Sequence, residues 1–100
     1  MHFVDKLIAR KTINVLLRAG YTVSVNDGEE TVLKDSTDIK AIFAAMDSTE
    51  EDYLIARKPD SSGGWVRFIY GNEPGAVIND YSTNLEKVLE PVNSFAERFQ

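Results

Sequence analysis

The chain has 100 residues and a mass of 11.2 kDa, room for one compact domain spanning 1–100 and not for two. Hydrophobic residues make up 43% and charged residues 27%, enough for a core and too apolar for disorder. No cysteine is present, which removes disulfides, thiol nucleophiles and cysteine-ligated metals, and a net charge of −5 has the wrong sign for gripping a phosphate backbone.

From about Phe3 to Ala19 there is neither Gly nor Pro, and the run reads as a helix. Val4, Ile8, Thr12, Val15 and Ala19 form one stripe at spacings of three and four, the expected buried face. Phe3, Leu7, Ile13 and Leu17 fall outside it, so the helix is apolar around much of its girth, and these four are a candidate homodimer face. Gly20 suits the left-handed position after the last turn. Tyr21-Thr22-Val23-Ser24-Val25 alternates strictly and reads as a half-buried strand. Asn26-Asp27-Gly28 is a hairpin turn, with a return strand near Glu30 to Lys34. Asp35-Ser36-Thr37-Asp38 supplies helix-capping oxygens, and Ile39, Ile42, Phe43 and Met46 follow at helical spacing.

Asp47 to Asp52 reads as a polar connection, Tyr53 to Lys58 as a strand, Pro59 to Gly64 as a loop, and Trp65 to Tyr70 as the partner strand. Gly71 to Gly75 is a turn, and Ala76-Val77-Ile78 a brief further strand. The last helix is capped by Ser82, Thr83 or Asn84 and carries Leu85, Val88, Leu89, Val92, Ala96 and Phe99, with a kink or restart expected at Pro91. The expected fold is α+β: helix–hairpin–helix–hairpin–helix, a mainly antiparallel sheet with helices packed on one face.

No run is long and apolar enough for a membrane span, and the first residues carry no basic-then-apolar signal pattern. A cytoplasmic location without a membrane partner is therefore expected. His2 is the single histidine, expected at a frayed terminus, and Asp47, Glu50, Glu51 and Asp52 lack the spacing of a calcium loop, so no metal or other cofactor is expected. Ser61-Ser62-Gly63-Gly64 precedes a strand rather than a helix and reads as a loop tip, not a phosphate cradle. With no catalytic constellation marked out, a non-enzymatic role is expected.

Two surfaces stand out as candidate binding sites. Alternation places Trp65 and Arg67 on one sheet face and Val66, Phe68 and Tyr70 on the other, so Tyr53, Arg57, Trp65 and Arg67 form a candidate interaction patch. Aromatics beside arginines also suit single-stranded nucleic acid, although the overall charge disfavours it. Asp27, Glu29, Glu30, Glu50, Glu51 and Asp52 form a candidate acidic surface, which a nucleic-acid mimic or inhibitor of a nucleic-acid-binding enzyme would use. The opening helix, by contrast, carries Lys6, Arg10, Lys11 and Arg18 against only Asp5.

The stretches Ala19 to Glu30, Ser48 to Leu54, Gly64 to Asn72 and Val77 to Glu86 resemble a group of small proteins from tailed phages and prophages. The resemblance carries no established activity and no catalytic residues. It implies a small accessory protein in a host cytoplasm, one that binds a host or phage macromolecule. The expected partner is a protein whose identity the sequence does not contain; the alternative, from the apolar girth of the first helix, is a second copy of the chain in a structural or regulatory homodimer.

Overall fold

A helix-forming run, a turn that demands positive φ and two alternating segments recur along the chain, and each becomes an element of the computed structural model. The structure describes residues 1–47, 49–71, 73 and 75–99. Helix α1 spans Phe3–Arg18. It is capped by His2, which is not frayed: its Nδ1 accepts a hydrogen bond from the Val4 amide at 3.1 Å. Gly20, at φ +95°, reverses the chain into strand β1, Thr22–Asn26. In the following turn Asn26 Oδ1 accepts from the Gly28 amide at 2.8 Å, and Asp27 Oδ1 accepts from the Glu29 and Glu30 amides at 2.9 Å each. These side-chain bonds do locally what a ladder cannot do at a reversal. Strand β2 spans Thr31–Ser36, and Asp38 caps the short α2, Ile39–Ala44, by accepting from Lys40 and Ala41 amides. Strands β3 (Glu51–Arg57), β4 (Gly63–Ile69) and β5 (Ile78–Tyr81) follow, then a 3-10 turn at Thr83–Leu85 and α3, Glu86–Glu97.

The five strands form one sheet in the order β2-β1-β3-β4-β5, every neighbouring pair antiparallel, so the chain is α+β. Alternation sends Val23, Val25, Leu54, Ala56, Val66 and Phe68 to one face, all of them fully buried. They meet Ile8, Ala9, Ile13 and Leu16 of α1, Ile42 of α2, and Leu89, Val92 and Ala96 of α3 in one hydrophobic cluster. Each large aliphatic side chain so buried contributes about 1.5–3 kcal/mol, the main stabilising term of the fold.

Several elements differ from what periodicity alone predicts. The buried stripe of α1 runs through Asp5, Ile8, Ala9, Thr12, Ile13 and Leu16, rotated from the Val4–Ala19 stripe. A helix apolar nearly all round does not select its own buried side, so packing against β1, α2 and α3 selects it. The two polar members are satisfied: Asp5 Oδ1 accepts from the Gly75 amide at 3.1 Å, and Thr12 Oγ1 donates to the Ile8 carbonyl at 2.8 Å. Strand β3 begins at Glu51, inside the segment that reads as a polar connection. Strand β4 begins at Gly63, because its first two residues must lie against neighbours that leave no room for a side chain. A Cβ on Gly63 would fall into the carbonyl of Ala56, and one on Gly64 would meet Ser82 Oγ and Leu85 Cγ. The extra strand begins at Ile78 rather than Ala76, and the last helix lacks the expected Ser82, Thr83 or Asn84 cap: Ser82 precedes the 3-10 turn and Leu85 precedes α3, neither with a capping side-chain hydrogen bond. Helix α3 passes through the exposed Pro91 without a break, and the change of helical form lies upstream, where the 3-10 turn gives way at Glu86. In the predicted Gly71–Gly75 turn, positions 72 and 74 lie outside the described residues, as does 48 in the polar connection.

Candidate functional site

The residues that alternate with the core positions form the outer face of the sheet. On β3 these are Glu51, Tyr53, Ile55 and Arg57; on β4 they are Gly63, Trp65, Arg67 and Ile69. Register brings them together in pairs: Glu51 opposite Ile69, Tyr53 opposite Arg67, Ile55 opposite Trp65, and Arg57 opposite Gly63. On the far side of β3, Asn26, Ser24 and Thr22 of β1 stand beside Tyr53, Ile55 and Arg57. Tyr53, Ile55, Trp65 and Ile69 are each half-buried, their flanks covered by strand neighbours and their outward surfaces open.

The four residues of the sequence-predicted patch, Tyr53, Arg57, Trp65 and Arg67, therefore do share one face. Tyr53 and Trp65 meet edge to face, with ring centroids 6.4 Å apart, and the Arg67 guanidinium carbon lies 5.7 Å from the Tyr53 ring centre. Arg67 is committed to partners in its own chain. Its Nε and Nη2 donate to Glu51 Oε2 at 3.0 and 2.7 Å, and Nη1 donates to Asn79 Oδ1 at 3.2 Å. Its charge is thereby neutralised locally and its side chain held flat along the sheet. Arg57 is exposed and, among the described residues, forms no ion pair.

At the other end of β3 the acidic residues gather. Asp27, Glu29, Glu50 and Glu51 line an open cleft of about 570 Å³ beside Arg67 and Ile69. Thr49 Oγ1 donates to the Asp27 and Glu51 carbonyls at 3.1 and 2.7 Å, tying the β1–β2 turn to the start of β3. The Glu30 and Glu29 amides hold the Asp27 carboxyl below the ordinary aspartate range. The outer face thus runs from acid, through aromatic and aliphatic groups, to Arg57, which has Asp35 beside it, while Lys58 turns to the core side with its ammonium 4.7 Å from the Tyr21 ring centre.

Asp52 leaves the acidic surface altogether. It lies opposite Phe68 on the core side and is fully buried. Its Oδ2 accepts from the Asp47 amide at 2.7 Å and from the Tyr70 hydroxyl at 2.6 Å, while Oδ1 has no partner among the described residues. Burial pushes this carboxyl above the ordinary aspartate value, against the pull of the Tyr70 and Asp47 hydrogen bonds. Burial and then the same bond push the Tyr70 phenol well above its ordinary value, so it stays a donor.

The candidate dimer face on α1 is also divided. Phe3 is 70% exposed and Leu7 half-buried, but Leu17 packs against the core and Ile13 is fully buried within it. The four cannot meet a partner together. Among the described residues, no three His, Asp or Glu side chains converge as a metal-ligating group.

Ile55 and Ile69 belong to the outer face although the sequence does not single them out, and alternation from Tyr53 and from Trp65 reaches them directly. Glu51, expected on the acidic surface, lies on this same face opposite Ile69, a placement hidden by the polar run that masks the start of β3. The chain matches no protein-family model, and no curated protein and no solved structure matches it.

Proposed function

We propose that this chain is a binding protein, of the accessory kind found in phages and prophages, and that it engages another protein through the outer face of its sheet. The helices' buried residues all join the core on the opposite face, leaving this one to solvent. The observation that carries the reading is the contiguous set Tyr53, Ile55, Trp65 and Ile69, in register across two strands and half-open. Aromatic side chains ringed by charges of both signs are the composition of a protein-binding surface. Single-stranded nucleic acid fits less well, because Arg67 is neutralised by Glu51 and the neighbouring cleft is acidic.

The test is affinity capture from bacterial lysates, with and without phage infection. The wild-type chain is compared with a Tyr53→Ser/Trp65→Ser variant of matched circular dichroism. Proteins retained by the wild type and lost by the variant are expected; an identical retained set rejects the outer face as the binding surface. Titration with a single-stranded oligonucleotide at low salt is expected to give no shift, and salt-sensitive binding abolished by Arg57→Ala would favour the nucleic-acid reading instead.

A further inference from the structure

We infer that the face formed by α1 and α2 is a second docking surface, and that its occupant is an acidic amphipathic helix of another protein. It lies on the helix layer, away from the outer face of the sheet, and stands independently of the reading given to that face. Phe3, Leu7, Arg10 and Asn14 follow one another at spacings of four, three and four and form the ridge of α1 opposite its buried side. Phe3 is 70% exposed and Leu7 half-buried; on α2, Ile39 is 37% exposed and Phe43 half-buried. Arg10, Ile39, Lys40 and Phe43 line an open groove of about 500 Å³ between the two helices, with the Arg10 guanidinium carbon 4.6 Å from the Phe43 ring centre.

Charge selects the partner. The chain as a whole carries −5, yet the exposed ionic side chains of α1 are Lys6, Arg10 and Arg18. Its one acid, Asp5, is buried and accepts from the Gly75 amide. Lys40 of α2 is exposed as well, and among the described residues none of these cations forms an ion pair. Two acids border the face. Asp38 turns its carboxylate to the Lys40 and Ala41 amides, and Asp47 is held by the Met1 ammonium at 2.7 Å. Glu86, Glu90 and Glu97 of α3 line a cleft beside Tyr81 of β5, whereas α3 meets Lys11 of α1 through Phe95. Lys6, Arg10 and Lys40 against Asp38 leave the groove and its rim positive.

A phosphate backbone would answer these cations and leave the apolar groove unused. A lipid surface is broad enough to meet the field of the whole acidic chain, whereas a segment seated in the groove responds to charges within about 8–10 Å. Two neighbouring helices offer a furrow into which the side-chain ridge of a third can pack. The α1 ridge from Phe3 to Asn14 is about 16 Å long, or about three turns. An occupant with apolar anchors at i, i+3 or i+4, and i+7, and with carboxylates on its flanks, spans it.

Peptide selection tests this. A random displayed library of peptides about 16 residues long, enough for about four turns, is sorted on the full chain and on two variants of matched circular dichroism. One variant is Arg10→Glu/Lys40→Glu in the groove and the other Tyr53→Ser/Trp65→Ser on the sheet. The expected result is a set of peptides depleted at least about tenfold on the groove variant and undepleted on the sheet variant, acidic and with apolar residues at helical spacing. One of them, titrated by fluorescence anisotropy, should bind at least about fivefold more weakly to Ile39→Ser, and more weakly to the wild type at high salt. No peptide that depends on Arg10 and Lys40, dependent peptides without an excess of acid, or a titration indifferent to Ile39 overturns the inference. Vesicles of phosphatidylcholine and phosphatidylglycerol, and a duplex oligonucleotide, are expected to leave the chain unbound. Binding of either that the groove variant loses assigns the face to lipid or to nucleic acid and overturns the inference too. Peptides lost on the sheet variant alone would support the outer face while rejecting this one.

Discussion

Tyr70→Phe removes one oxygen from the interior and leaves the ring that fills the space. The lost hydroxyl donates to Asp52 at 2.6 Å, and Asp52 is fully buried with its other oxygen already without a partner among the described residues. A hydrogen bond to a charged group is worth about 1.5–3 kcal/mol, so the variant should lose about 2 kcal/mol of stability at pH 7. For a domain of this length that lowers the melting temperature by about 8–16 °C.

The pH dependence separates this account from a simple packing defect. The Tyr70 bond pulls the Asp52 carboxyl down against burial, so without it the folded protein binds that proton more tightly. The bond's contribution is complete while Asp52 is ionised in both proteins. It shrinks as pH falls through the raised folded values toward the ordinary aspartate value of about 3.9. Urea titrations at about pH 7 and pH 4.5, followed by fluorescence of the single tryptophan, Trp65, measure the gap between wild type and variant. A gap near 2 kcal/mol at neutral pH that narrows on acidification is expected. A gap of the same size at both pH values, or one below about 0.5 kcal/mol at pH 7, would refute the reasoning.

Gly63→Ala drives a Cβ into the Ala56 carbonyl across the β3–β4 ladder, and backbone cannot yield as a side chain can; a loss of about 2 kcal/mol or more in urea denaturation is expected. Asp38→Ala withdraws the acceptor of two amides at the start of α2 and should cost about 1 kcal/mol, with Asp38→Asn largely sparing it. Pro91→Ala acts in the other direction. It restores an amide donor on an exposed position of an uninterrupted helix, and should raise stability by about 1 kcal/mol or more, read as a higher urea midpoint at unchanged slope.

Features that depend only on neighbours in the chain could be read without the fold. The alternations at 21–25 and 65–70, the Asn26-Asp27-Gly28 turn, the Asp38 cap and the 39–46 stripe each follow from φ/ψ preference or a period that a few residues express. For the same reason Trp65 and Arg67 could be placed on one face, opposite Val66 and Phe68. Other features depend on residues far along the chain. Asp52 reads as loop because a carboxylate inside a sheet is tolerable only with its donors present, and Tyr70 stands 18 positions away. Asp5 is buried because the Gly75 amide, 70 positions on, meets it. Gly63 and Gly64 become strand because Ala56 and Ser82 crowd them, and α1 takes its rotation from the layers it lies between. Periodicity proposes which side chains can be buried, but burial of a polar group or the choice among several apolar faces is settled by partners that only the assembled fold supplies.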